Sequence, residues 1–219
     1  MVRTNFEKDL KQLHNELVEM GRLVESVIRD SVEAFKTNDI ELCKKIIEND
    51  NTVDDMEKTI ESKCLWLIAR EQPIASDLRK ITTALKITTD LERIGDHAVD
   101  IAKITIRIGK KNIFADSDHI HQMAQAAIGM VNSAIAAYVN YDLELAKATE
   151  ARDDEVDEYF YLIKKELSHV FSTQPQNTDN AIDLLLTVKY LERIADHAVN
   201  ICEWVAFSQT GKHKKTRIF

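Results

Sequence analysis

The sequence predicts an all-α fold, with two tandem antiparallel three-helix bundles related by pseudo-two-fold symmetry. Three observations predict it. Gly is 5 and Pro is 2 in 219 residues, against the usual ~7% and ~5%, so tight turns are scarce and long helices follow. Apolar residues recur at alternating three- and four-residue steps along six long stretches. The chain also repeats itself: LERIGDHAVDIA (Leu91–Ala102) returns as LERIADHAVNIC (Leu191–Cys202), identical at nine of twelve positions.

The first helix spans about Phe6 to Phe35. Thr37-Asn38-Asp39 breaks it and caps the second, which reads as one helix to about Arg70. Gln72-Pro73 marks a turn, and Ser76 or Asp77 is placed to cap a third helix ending near Gly109. After the polar stretch KKNIFADSD the pattern restarts: 120–140, 142–171, a Gln174-Pro175 turn, and 178–208. NDIEL (Asn38–Leu42) matches YDLEL (Tyr141–Leu145), and VDDMEKTI (Val53–Ile60) matches VDEYFYLI (Val156–Ile163), both at an offset of 103 that falls to 100 in the last helix. Repetition on this scale means a duplicated supersecondary unit. The expected organisation is a first bundle at 1–110, a linker at 111–117, a second bundle at 118–210 and a basic tail at 211–219.

The seam of the third helix is Ile87, Leu91, Ile94, Ala98, Ile101, Thr105 and Ile108; that of the sixth is Leu184, Thr187, Leu191, Ile194, Ala198, Ile201 and Val205. Steps of four and three are bundle packing, so most of the duplicated phrase is core.

With 29 Lys+Arg against 37 Asp+Glu, net charge -8, the chain lacks the basic face that a nucleic-acid or membrane-surface binder needs. The N-terminus is amphipathic and charged, without the apolar core of a secretory signal. No window approaches the ~18 apolar residues of a membrane span. Cys43, Cys64 and Cys202 show no CxxC spacing and read as small core residues of a reducing compartment. A cytoplasmic protein, at a membrane only through partners, is expected. Lys212, Lys214, Lys215 and Arg217 make the tail basic. It is expected to be a frayed, solvated end, with contact to an acidic partner or anionic lipid as the alternative.

Core packing leaves four acidic pairs unexplained: Asp50 and Asp54, Glu92 and Asp96, Asp153 and Asp157, Glu192 and Asp196. Each pair is spaced i, i+4 and so shares one helix face. In an antiparallel hairpin centred near Gln72, Asp54 stands level with Glu92 and Asp50 with Asp96; around Gln174 the second half behaves alike. Each half therefore gathers four carboxylates. A solvated acidic face accounts for any one pair. Four height-matched pairs point instead to a cation, and oxygen donors suit Mg²⁺, Ca²⁺, Mn²⁺ or iron.

His97 and His197 follow the pairs as further ligands or donors to them, or as locally bonded boundary residues. Arg93 and Arg193 read as screening charges. Asp90, Asp100 and Glu57 correspond to Tyr190, Asn200 and Phe160, so the first site is expected to bind more metal or to bind it more tightly. Di-iron bundles need Glu-x-x-His facing inward; neither repeat has it, and no Gly-rich phosphate loop, Ser/His/Asp signal or HExxH appears. The protein is not expected to be an enzyme.

These duplicated phrases, together with RxQPxAxDLR (Arg70, Gln72, Pro73, Ala75, Asp77, Leu78, Arg79), make the chain resemble the PhoU family of phosphate-signalling and phosphate-transport accessory proteins, from about Phe6 to Ser208. The resemblance implies a PhoU-like, spectrin-repeat-like pair of bundles. It implies multinuclear iron or zinc clusters on the acidic motifs, all eight of whose carboxylates are present here. It also implies negative regulation of the phosphate-starvation response. The adaptor would link the ATPase subunit of a phosphate ABC transporter to a sensor histidine kinase. A homodimer is expected. The second half lacks the DLR, so Arg70, Asp77 and Arg79 are candidates for partner contact, a helix cap plus local ion pair being the other reading. A metal-dependent enzyme such as a phosphohydrolase, a plain helical scaffold, or an accessory of a low-affinity phosphate permease stay open as alternatives.

Overall fold

The computed structural model describes residues 2–109, 117–213 and 216–217. The first half runs through α1 (Val2–Thr37), α2 (Ile40–Glu48), α3 (Asn51–Glu71) and α4 (Ala75–Ile108). The second repeats it with α5 (Asp118–Asn140), α6 (Leu143–Glu150), α7 (Asp153–Thr173), a 3₁₀ turn (Pro175–Asn177) and α8 (Thr178–Thr210).

Each half thus has its middle helix in two pieces, where the periodicity predicts one. At Asn49 the side-chain amide donates to the Lys45 carbonyl at 2.8 Å, and its backbone leaves the helical range at φ -93, ψ 4. An Asn side chain that competes for its own helix's carbonyls ends that helix. Asp50 returns to helical angles (φ -49, ψ -47), so the apolar phase carries across the break and conceals it. The second half breaks at Ala151 and Arg152, ahead of Asp153. Both breaks put the first carboxylate of an acidic pair at or beside a helix start.

The α1–α2 connection turns on Asn38 at φ 54, after which the Asp39 side chain accepts from the Leu42 N–H at 2.9 Å. Tyr141 at φ 54 and Asp142, accepting from the Glu144 and Leu145 N–H groups at 3.0 Å, repeat the device. The expected cap of α4 by Ser76 or Asp77 does not form. Extended Ile74 precedes the helix with no side-chain cap, and Asp77 lies in the first turn, 3.3 Å from Lys80 Nζ. The chain straightens directly after Pro73, so α4 begins before either residue can occupy the capping position.

The long helices α4 and α8 pack on one another and join the halves; α1 lies on α4, α5 on α8, and α1 meets α5. All fourteen expected seam positions of α4 and α8 are buried. One continuous apolar core crosses both halves, taking Leu17, Met20, Val24 and Ile28 from α1. Truncating such a side chain to Ala removes about 2–5 kcal/mol. Thr105 and Thr187 sit in the seam by donating to carbonyls of their own helices, at 2.8 and 3.1 Å.

Of the expected linker only Ser117 is described. The basic tail departs from a frayed end where it is described. Lys212–His213 (β1) pairs antiparallel with Thr216–Arg217 (β2), and the His213 ring stacks 4.1 Å from Trp204. Arg79 Nε donates to the Ser208 carbonyl at 3.3 Å beside it. Lys214 and Lys215 lie outside the described residues. The three cysteines are buried and free. No described helix is long and apolar enough to cross a membrane.

Candidate metal centre

In the first half, α3 starts immediately after Asp50 and carries Asp54 in its first turn. Antiparallel α4 brings Asp96 to the same level. One carboxylate oxygen from each of Asp50, Asp54 and Asp96 falls in a set within 4.8 Å of one another, and all three side chains are half-buried. Glu92 stands one turn away; its Oε2 is buried without a hydrogen bond, 3.3 Å from Arg93 Nε. Arg93 Nη1 also reaches Asp96 Oδ2 at 3.3 Å, so this arginine screens the pair from its solvent side.

Crowding and burial show in the acidities. Burial, and next the charge of Asp96, push the Glu92 carboxyl up to about 7. Burial raises Asp50, with Asp54, Asp96 and Asp100 adding and Lys103 opposing. Burial and then Glu61 raise Glu57. A cation held among these carboxylates would relieve the mutual repulsion that adds to burial in raising them.

Close helix approach makes the cluster. A Cβ built on Gly95 would stand 3.3 Å from Val53 Cγ1, tighter than ordinary packing, so α3 and α4 sit against each other just where the carboxylates converge. The second half has Ala195 at this position. There Asp153 is raised to about 6 by burial, then by Asp196, Asp157 and Glu192, and Asp196 is raised by burial and Glu192. The four groups feel one another, yet among the described residues only the first patch brings three ligand atoms together. Lys189, opposite Thr89 in the first half, binds Glu192 through both oxygens and lies 5.4 Å over the Phe160 ring. An ammonium already answers one carboxylate. Gly95 and Lys189 escaped the sequence reading, although both stand as mismatches in or beside the repeated phrase.

Asp90, His97 and His197 turn away from the patches. One residue along from Asp96 or Asp196 turns a side chain about 100°, toward the α4–α8 seam. Asp90, buried, lies 2.8 Å from His197 Nδ1 and accepts from Asn200 Nδ2 at 3.3 Å. Across the pseudo-two-fold axis, His97 stacks on Tyr190 at 5.3 Å, and Tyr190 is hydrogen-bonded to Asp100. Burial, and next His197, lower His97 to about 4. Asp90 and the two histidines therefore meet in the polar seam between the halves, the boundary position that is one of the two expectations for His97 and His197. Asp100 faces both ways: it bonds Tyr190 and Lys103 (3.3 Å) and adds its field to Asp50. Around the first patch stand Gly95, Glu57 and Asp100, where the second half has Ala195, Phe160 and Asn200, and Lys189 stands only beside the second.

The PhoU-domain family model matches the chain twice, over residues 17–105 and 120–205. The chain belongs to the PhoU family. A Clostridium acetobutylicum relative, a phosphate-specific transport system accessory protein PhoU homolog, is 41% identical over 213 residues, 97% of each chain. A Rhizobium meliloti homolog of the same description is 34% identical over 96% of this chain and 89% of its own. The crystal structure of the phosphate transport system regulatory protein PhoU from Streptococcus pneumoniae superposes with a TM-score of 0.89 at 28% identity, covering 95% of this chain and 98% of that one. PhoU from Pseudomonas aeruginosa gives 0.89 at 32%, covering 94% and 100%.

The RxQPxAxDLR segment that carries the PhoU resemblance divides in the fold. Arg70 is exposed at the end of α3, its guanidinium 4.6 Å over the Trp66 ring and 3.2 Å from Glu71; it remains available to a partner. Asp77 is engaged by Lys80. Arg79 also serves the end of α8, its Nε donating to the Ser208 carbonyl.

Proposed function

We propose that the chain is a regulatory accessory protein of a phosphate transport system, not an enzyme, and that it restrains the phosphate-starvation response when phosphate is plentiful. The supporting observation is the PhoU match in both halves, with relatives named as phosphate-transport accessory proteins over nearly the full length. On this reading it is a cytoplasmic homodimer working as an adaptor between the ATPase subunit of a phosphate ABC transporter and a sensor histidine kinase. Asp50, Asp54, Asp96 and Glu92 would hold a hard cation, whose positive charge would turn an acidic face into one that attracts phosphate groups. An all-oxygen donor set favours iron, Mn²⁺, Mg²⁺ or Ca²⁺ over zinc, since the neighbouring histidines face the seam. The second patch, with Asp153, Asp157, Asp196 and a Glu192 shared with Lys189, is the weaker binder.

The test is complementation. Expressed in a bacterium lacking its own PhoU, this chain should return a phosphate-starvation reporter to its repressed level in phosphate-rich medium. A reporter that stays fully on, with the protein present and folded, overturns the reading.

A further inference from the structure

A cavity of about 560 Å³ opens where the starts of α1 and α4 meet the end of α5. That is the size of a small-molecule site, and it lies at the junction of two structural units, where such sites concentrate. Phe6, Leu10 and Leu13 give it an apolar floor, and three rings stand in its wall: His14, Tyr138 and Tyr141. The His14 ring lies 5.1 Å from Tyr138 and 5.9 Å from Tyr141, nearly parallel to the latter at 16°. His14 Nδ1 is buried and makes no hydrogen bond, and burial keeps the imidazole below its usual range. Tyr138 is 9% exposed. At the rim, Lys11 and Lys80 stand with Glu7 and Asp77.

Two features mark this cavity as built. Helix α1 has 36 residues and α5 has 23. The 103-residue offset sets His14 opposite Ser117, ahead of α5, so the α1 part of the lining, Phe6 to His14, is a segment the duplication did not copy. Tyr141 is the second feature. The first half places Asn38 at the equivalent φ of 54, a residue that enters the left-handed region readily. A bulky ring there is strained, and such strain marks positions held for a purpose. Gln209 Nε2 fixes the turn by donating to the Tyr141 carbonyl at 2.5 Å.

We propose that this cavity binds a nucleoside monophosphate, its base stacked on Tyr141 and hydrogen-bonded to His14 Nδ1, its phosphate between Lys11 and Lys80. A base brings a flat π face, which every aromatic platform accepts, and a polar edge for the unanswered His14 Nδ1. Two carboxylates already stand beside the two lysines, so the rim accommodates one phosphate better than three. Ser76 and Asp96 are separated by ~30 Å of α4, so the site is separate from the carboxylate patches, and its failure would leave the phosphate-transport reading untouched.

Isothermal titration of the whole protein with AMP, GMP, adenosine, ATP and inorganic phosphate tests it. AMP or GMP should bind with a Kd below about 1 mM, more tightly than adenosine, ATP or phosphate. Tyr141→Asn, which restores the residue the first half uses, should weaken binding at least about 5-fold while far-ultraviolet dichroism is unchanged. Lys80→Met should weaken the monophosphate and leave adenosine unaffected, and it decides the matter if Tyr141→Asn fails to fold. No heat from either monophosphate at about 5 mM, equal affinity of the variants, or phosphate alone binding as tightly as AMP overturns the proposal.

Discussion

Gly95 and Val53 meet where α4 crosses α3, close enough that a methyl group on Gly95 would press on Val53 Cγ1 from 3.3 Å. This contact lies beside the convergence of Asp50, Asp54 and Asp96. Gly95→Ala should therefore push α3 outward at a cost of about 1–3 kcal/mol and lower metal affinity at the first patch toward that of the second. Calorimetric titration of metal-free protein with Mn²⁺ measures it; affinity equal to the parent's would show that the glycine does not set the ligand geometry.

Unequal patches carry an expectation for metal content. Protein purified without chelator should lose more metal through Asp50→Ala/Asp96→Ala than through Asp153→Ala/Asp196→Ala, as read by elemental analysis. Equal losses would sink the ranking of the two sites.

Protons and cations compete at these carboxylates, and the sign follows from the raised acidities. With Glu92 moved from 4.5 to about 7, the metal-free folded state holds more protons than the unfolded chain between these values. Its stability therefore falls as pH rises from about 4.5 to about 7. Asp153, moved from 3.8 to about 6, acts in the same sense over its own window. His97, lowered from 6.5 to about 4, acts oppositely, losing stability as pH falls through that range. Since His97 faces the seam, the informative quantity is the Tm difference between Mn²⁺-loaded and chelator-treated protein, which should widen as pH rises from about 5 to 7.5. Glu92→Gln should flatten that widening. A difference independent of pH contradicts the assignment.

Asp90 satisfies two partners across the seam, and its removal should show in folding rather than metal binding. Asp90→Ala leaves His197 Nδ1 and the Asn200 amide without their acceptor, at a cost of about 1–3 kcal/mol. Urea unfolding should register the loss while metal content stays at the parent's value. Loss of metal without loss of stability would return Asp90 to the site.

The fold was legible because seam positions such as Leu91, Ile94, Ala98 and Ile101 repeat at steps of three and four, a spacing that only helix packing requires. The breaks at Asn49 and Ala151 were not, because Asp50 resumes helical angles and keeps the apolar phase. Pairing Asp50 with Asp96 needed only helix rise and an antiparallel turn. What spacing could not give was azimuth: a histidine next to an aspartate in sequence looks like its neighbour in the site, and His97 and His197 instead point about a quarter turn away. Nor could composition show that α3 and α4 approach so closely at Gly95 that an added methyl group would stand 3.3 Å from Val53.

The exchange of partners across the α4–α8 seam also bears on how the halves recognise each other. Two copies of the first half, set face to face about the same axis, would bring Asp90 against Asp100 twice. In the chain as it stands, Asp90 meets His197 and Asn200, and Asp100 meets Tyr190. Complementarity is thus written into the seam as a lock with two unlike faces. The covalent link joins faces whose polar groups answer one another, where two like faces would set carboxylate against carboxylate.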